Sequence, residues 1–325
     1  MFNRVHVISR HSHDLINNLK KLLPSVQFTE VHLSDVFNLE TAEIILADYD
    51  QIGPFIYKLP TVKWIQGTWA GLDKLWPYIR KDDVPKFPIT RTTGDNFGQL
   101  MGEYVIGNII FWERNYFKVK ENQIKKIWDC TVCPHDHRSL RDLTIGILGI
   151  GAIGSAIGRA LKTLGATVYG FGRRATVSLE SPDLKHFSKY YTKDNVKELL
   201  SSVDYIVNVL PRTEETNNFL GNKLLEICKG KNVTFINIGR GNIIKETELI
   251  DALTNQWISG AILDVFESEP LPATSQLWNF PNVFITPHIS GNSRTQDTAE
   301  NFKINFQRFQ RNEPLLQQID FVKGY

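Results

Sequence analysis

A chain of 325 residues is too long for one small hydrophobic core, so two domains are expected. Its 42% of apolar residues argues against wholesale disorder, while 37 Lys and Arg against 35 Asp and Glu leave a net charge of only +2. With no basic block, neither nucleic acid nor an anionic membrane surface has an electrostatic hold on it.

No apolar run approaches the length of a membrane span. The first one, Val5-His6-Val7-Ile8, is far too short for a signal-peptide core, and Cys130, Cys133 and Cys228 cannot pair evenly. A reducing, cytoplasmic address is the resulting expectation.

Residues 4–91 alternate strand-like and helix-like pieces. The pattern predicts strands at 4–8, 26–31, 43–47, 62–66 and 89–92 and a helix at 14–23, which together imply a parallel sheet flanked by helices. Between the last two strands lies the loop Gln66-Gly67-Thr68-Trp69-Ala70-Gly71-Leu72-Asp73. Ala70 and Gly71 are small enough for their amides to approach an anion at the carboxyl edge of such a sheet. Residues 96–127 then contain no proline and read as one or two helices leading into the second domain. In the segment 130–137, Cys130 and Cys133 precede His135 and His137. The two pairs lack the separation of a zinc site, so a polar surface loop without metal is expected there.

A short apolar run at 143–148 predicts a buried parallel strand, and 156–164 has helical spacing. The turn between them carries Gly149, Gly151 and Gly154, so strand, glycine turn and helix follow in the order of a dinucleotide-binding fingerprint. The amides around Ala152 and Ile153 would then hold a pyrophosphate at the helix N-terminus. The second strand, 166–171, ends in Gly172-Arg173-Arg174, where an NAD-binding protein usually places a carboxylate for the ribose hydroxyls. No carboxylate stands there to repel a phosphate, and two guanidiniums suit one, so NADP(H) is preferred and NAD(H) remains possible.

Further buried strands are predicted at 203–210, 233–238, 259–265 and 283–286. They end in Pro211-Arg212-Thr213, Gly239-Arg240-Gly241, a polar stretch running from Asp264 to Pro270, and Pro287-His288. In a doubly wound sheet those ends share one edge with the glycine turn, which gathers Arg240, Glu269 and His288 around one crevice. Reduction of a 2-oxo acid needs a hydride donor, a proton donor for the carbonyl oxygen and a cation for the carboxylate. His288 suits the proton, with Glu269 favouring and orienting its imidazolium, and Arg240 suits the carboxylate. Amides of Ala70 and Gly71 suit the rest of that anion from the facing domain. The final helical stretch, 292–310, carries Phe302, Phe306 and Phe309 as a core stripe.

At this point the chain resembles the D-isomer-specific 2-hydroxyacid dehydrogenases. The likeness rests on Gly149 to Gly154, on Leu210-Pro211-Arg212-Thr213-Glu214-Glu215-Thr216, on Ile236-Asn237-Ile238-Gly239-Arg240-Gly241, on Leu263 through Pro272, and on Ile285-Thr286-Pro287-His288. It extends more weakly through Trp69 to Asp73 and Gly98 to Glu103. The resemblance implies an α/β chain of two doubly wound domains. A Rossmann cofactor domain, 101–292, would be inserted in a flavodoxin-like substrate domain, 1–100 and 293–325. It implies Arg240 as substrate-binding and catalytic, Glu269 as partner of the acid/base and His288 as the acid/base itself. For the cofactor it implies Asp264 at the nicotinamide carboxamide, with Leu210, Pro211, Thr216, Ile238 and His288 beside it. A homodimer built through the cofactor domains is also implied.

Trp69-Ala70-Gly71 and Arg173-Arg174 look most like the glyoxylate and hydroxypyruvate reductases, which prefer NADPH. Two other readings compete. One is an NAD-dependent D-2-hydroxyacid dehydrogenase of another substrate, and the other is a nucleotide-sensing protein like the corepressors that resemble this family. The 130–137 segment has no part in the family pattern.

Overall fold

The computed structural model describes residues 3–32, 34, 39–133, 135, 137–175, 177–182 and 184–324. The backbone separates into two compact units, Met1–Phe97 with Asn292–Tyr325, and Gly98–Gly291.

The first unit begins with β1 (Arg4–Ile8), α1 (Ser12–Leu22), β2 (Gln27–Glu30), β3 (Ile44–Ala47), the single turn α2 (Tyr49–Ile52), β4 (Trp64–Gly67) and β5 (Ile89–Thr90). All five strands run parallel in the order β2-β1-β3-β4-β5, a flavodoxin-like arrangement. The central strands β3 and β4 are buried at every residue, because helices cover both faces of a parallel sheet and leave no polar side to alternate with. α1 starts two residues before its predicted boundary, where the Ser12 hydroxyl donates to the Ser9 carbonyl at 2.7 Å and accepts the Ser9 amide.

α3 (Asp95–Glu113) begins in the first unit and continues into the second, where α4 (Tyr116–Ile124) follows. They are two helices because Asn115 takes a left-handed φ of 50° between them, a conformation Asn tolerates and a helix interior does not. The second unit continues with β6 (Thr144–Leu148), α5 (Ala152–Thr163), β7 (Thr167–Phe171), β8 (Lys189–Tyr191), α6 (Val196–Leu200), β9 (Tyr205–Asn208), β10 (Thr234–Asn237), α7 (Glu246–Thr254), β11 (Gly260–Leu263) and β12 (Val283–Ile285). β8 had no counterpart in the sequence pattern. At three residues, with Lys189 exposed, it is a short edge strand.

The order is β12-β11-β10-β9-β6-β7-β8, all parallel, so the chain direction of winding reverses between β6 and β9. The register pairs Leu148 with Asn208, Asn208 with Asn237, Asn237 with Leu263, and Leu263 with Ile285. Gly149, Val209, Ile238, Asp264 and Thr286 therefore start their loops in one row, at the edge where such sheets bind ligands.

Last comes α8 (Thr295–Gln310), which belongs to the first unit. Its stripe is core: Phe302 is fully buried and stacks on Trp64 at 5.2 Å, and Phe309 stacks on the same indole at 5.4 Å. Among the described residues no helix is long and apolar enough to cross a membrane.

Candidate active site

The glycine turn after β6 shows why each glycine stands where it does. Gly149 has φ 106°, a conformation that side chains rarely adopt. A Cβ on Gly154 would meet the Gly149 carbonyl at 1.8 Å, so α5 packs against the strand only without one. At Gly151 an added Cβ would meet nothing within 4 Å. Here the backbone itself is open to a ligand, directly ahead of the α5 amides of Ala152 and Ile153. Open backbone at the second glycine and tight packing at the third are what a dinucleotide pyrophosphate requires, so the residues fit that group.

Beside the turn, a buried pair of asparagines fixes two strand ends. The Asn208 amide donates to Asn237 Oδ1 at 2.8 Å, while Asn208 Oδ1 accepts the Leu210 amide and Asn237 Nδ2 donates to the Arg240 carbonyl. Both side chains end strands that are otherwise apolar runs. Their polarity at positions otherwise apolar was the available signal. Leu210 is held by that bond, and both Leu210 and Ile238 are buried. Thr216 cross-links its own loop, donating to the Pro211 carbonyl at 2.7 Å and accepting the Thr213 amide at 2.9 Å.

The strand ends bring the candidate acid/base pair together. His288 Nδ1 lies 2.7 Å from Glu269 Oε2, and the other oxygen of Glu269 accepts the Phe266 amide at 3.0 Å. Donation from Nδ1 to the carboxylate leaves Nε2 as the atom that exchanges a proton with a ligand. The hydrogen bond to Glu269 raises the His288 pKa. Burial and the Arg240 charge oppose this, the charges of Glu269 and Asp264 add to it, and the net is above the ordinary 6.5. Burial alone would push Glu269 up, but the bonds from His288 and Phe266 and the charges of His288 and Arg240 hold it below its ordinary value. Arg240 is half-buried, and its Nη1 donates to the Gly239 carbonyl at 2.6 Å.

Asp264 underlies this pair. It is 0% exposed, and its carboxylate accepts the Thr286 hydroxyl at 2.5 Å, the Ile289 amide at 2.8 Å and the Ser290 amide at 2.9 Å. Its carbonyl accepts the His288 amide at 2.9 Å. These bonds hold His288 at φ 55°, a left-handed conformation that costs a non-glycine residue energy and that sets the direction of its ring. The Tyr104 hydroxyl closes the chain on Thr286 at 2.7 Å, and burial pushes that phenol up to about 12, so it stays protonated as a donor. Tyr104 and Thr286 were not singled out from the sequence, because only the register places them beside Asp264.

Arg173 and Arg174 follow β7 and are exposed. One expectation about this corner fails: a carboxylate does reach it. Glu215, 42 residues on, puts Oε2 at 3.0 Å from Arg173 Nη1. The Arg174 carbonyl accepts the Tyr190 hydroxyl at 2.7 Å.

Ala70 and Gly71 lie in the first unit, half-buried on the loop after β4, and the Ala70 carbonyl accepts from Arg91 Nη1 at 3.5 Å. Cys130 is exposed and Cys133 half-buried, while Pro134 and Asp136 of that segment lie outside the described residues. Among the described residues no group of three or more His, Cys, Asp or Glu is arranged to hold a metal ion.

Comparison with known proteins gives a consistent result. The glyoxylate/hydroxypyruvate reductase A of Escherichia fergusonii is 28% identical over 315 residues, 95% of either chain. The structure of a D-isomer specific 2-hydroxyacid dehydrogenase family protein from Aeromonas salmonicida subsp. salmonicida A449 is 32% identical, with TM-score 0.82 over 99% of this chain and 100% of that one. A D-isomer specific 2-hydroxyacid dehydrogenase from Xanthobacter autotrophicus Py2, solved in complex with NADPH and MES, is 27% identical, with TM-score 0.85 over 100% of both. The profile of the D-isomer specific 2-hydroxyacid dehydrogenase NAD binding domain matches residues 106–290. With that match spanning the glycine turn and every strand end from Leu210 to His288, the chain belongs to the D-isomer specific 2-hydroxyacid dehydrogenases, NAD(P)-dependent oxidoreductases acting on the CH–OH group.

Proposed function

We propose that this chain reduces a small 2-oxo acid with NADPH, glyoxylate to its achiral 2-hydroxy acid or hydroxypyruvate to the D-2-hydroxy acid, NAD(H) being a weaker alternative. The observation that carries this reading is the His288–Glu269 pair at 2.7 Å, on a loop held by Asp264 at the same sheet edge as the glycine turn. When bound, the reduced nicotinamide supplies the hydride. His288 donates the proton to the carbonyl oxygen from Nε2, and Glu269 keeps the ring oriented and cationic. Arg240 binds the substrate carboxylate through its planar fork. Ala70 and Gly71 are further anion donors through their amides, a role supported by small side chains on a half-buried loop.

The proposed cofactor contacts are Gly149, Gly151, Ala152, Ile153 and Gly154 for the pyrophosphate and Arg173 and Arg174 for a ribose 2′-phosphate. Leu210, Pro211, Thr216, Ile238, Asp264 and His288 belong to the remaining contacts. NADPH in the similar Xanthobacter autotrophicus structure supports the cofactor, and the similar Escherichia fergusonii reductase supports the substrates. A homodimer formed through the second unit is supported by apolar side chains left open around α4, with Ile124 72% and Trp128 97% exposed. A cytoplasmic address is supported by the free thiols of Cys130, Cys133 and Cys228.

Steady-state rates over a panel of 2-oxo acids, each with NADPH and with NADH, test the reading. Glyoxylate and hydroxypyruvate turning over with NADPH is the expected outcome. Cofactor binding without turnover of any panel member would replace it with a nucleotide sensor.

A further inference from the structure

We propose that Glu215 is a specificity-determining residue that competes with the ribose 2′-phosphate for Arg173 and so moderates the preference for NADP(H). This rests on the reading of Arg173 and Arg174 as phosphate-binding. Both partners of the 3.0 Å ion pair are presented by tied backbone. On one side, the Gly172 amide donates to the Tyr191 carbonyl at 3.0 Å and the Arg174 carbonyl is held by Tyr190. On the other, Glu215 precedes Thr216, whose hydroxyl cross-links residues 211–216.

A carboxylate on this guanidinium has two opposite effects. A 2′-phosphate carries about −1.5 to −2 charges and matches an arginine fork, so it must displace Glu215 and then remain beside a negative neighbour. With NAD(H) nothing is displaced, and Glu215 accepts a hydrogen bond from the ribose hydroxyl. It takes over from a distant loop the task that a carboxylate at the end of the second strand performs in NAD-binding sheets. The side chains of Arg173 and Glu215 are 44% and 65% exposed, so the effect is that of a solvated pair and salt-sensitive.

Dissociation constants for NADPH and NADH, measured by fluorescence titration on the wild type, Glu215→Gln, Arg173→Ala and the double variant, decide the matter. Glu215→Gln should bind NADPH about two- to five-fold more tightly and NADH more weakly, with the gain shrinking in about 0.5 M salt. The gain should vanish in the Arg173→Ala background. An unchanged NADPH-to-NADH ratio in Glu215→Gln, or the same gain without Arg173, would overturn the proposal. If Arg173→Ala weakens NADPH while Glu215→Gln leaves the ratio alone, Glu215 is removed and the phosphate reading stands. If Arg173→Ala leaves NADPH affinity intact, the phosphate reading itself is wrong and this proposal goes with it.

Discussion

Asp48 and Asp264 occupy the same station in two different sheets. Each is the first residue after a strand, β3 and β11, each is almost wholly buried at 2% and 0% exposure, and each ties a neighbouring loop with a carboxylate. Asp48 accepts the Arg10 amide at 3.0 Å and the Thr68 hydroxyl at 2.5 Å, and it meets the Arg10 guanidinium at 3.4 Å. Asp264 accepts Thr286, Ile289 and Ser290. The difference lies in what the tied loop presents. Around Asp48 the loop offers Trp69 stacked by Arg10 at 5.5 Å, followed by the small residues Ala70 and Gly71, with no acid/base pair. Around Asp264 it offers His288, 50% exposed, against Glu269, 36% exposed. A buried, saturated carboxylate ties loops together; a half-open one against an imidazole orients that ring and favours its protonated form. Burial thus separates the two carboxylates that tie loops from the one that orients the candidate acid/base, although all three are acidic residues near strand ends.

The largest expected effect tests the reactive side of that comparison. His288→Ala should lower turnover by about 10²–10⁴-fold while NADPH affinity, which rests mainly on the glycine turn and the arginines, falls far less. Wild-type turnover in that variant would leave Asp264 holding a loop without a catalytic purpose. Next, Asp48→Ala and Asp264→Ala should each cost about 1–3 kcal/mol of stability for every buried donor left without an acceptor, measured by urea unfolding. Their kinetics should diverge, with a raised KM for the 2-oxo acid in Asp48→Ala and a lowered kcat in Asp264→Ala. Matching kinetic losses in the two variants would break the distinction.

The smallest effect is a shift in pH dependence. In the proposed reaction His288 must be protonated to reduce a carbonyl, and its pKa is raised, so the reductive rate should hold through pH 6.5 and decline as pH rises through the elevated value. Glu269→Gln removes the hydrogen-bonded charge that favours the imidazolium, so the decline should move to lower pH. An alkaline limb unmoved in Glu269→Gln would mean that another group sets it.

Much of this was legible because it is local. The apolar runs of the central strands, the glycine turn at Gly149 to Gly154 and the phenylalanine stripe of α8 each follow from spacing within about a dozen residues. The strand boundaries were read too long, as at 203–210 against Tyr205–Asn208, because the flanking apolar residues are buried in loops. The tying roles of Asn208, Asn237, Tyr104 and Thr286 were not legible because the side chains they meet across the sheet lie between 22 and 182 residues away.

By itself the sequence determined that two parallel sheets would form, that a glycine turn would lead from a buried strand into a helix N-terminus, and that Arg240, Glu269 and His288 would stand at strand ends. Each of these depends on side-chain type and periodicity along one short segment. Only the tertiary structure decided which strand ends are level, that Asp264 spends its carboxylate on the loop of His288, and that Glu215 reaches Arg173 across 42 residues. Those facts depend on the register between strands, in which a slip of one residue turns every side chain to the opposite face, and no pattern within a single strand encodes it.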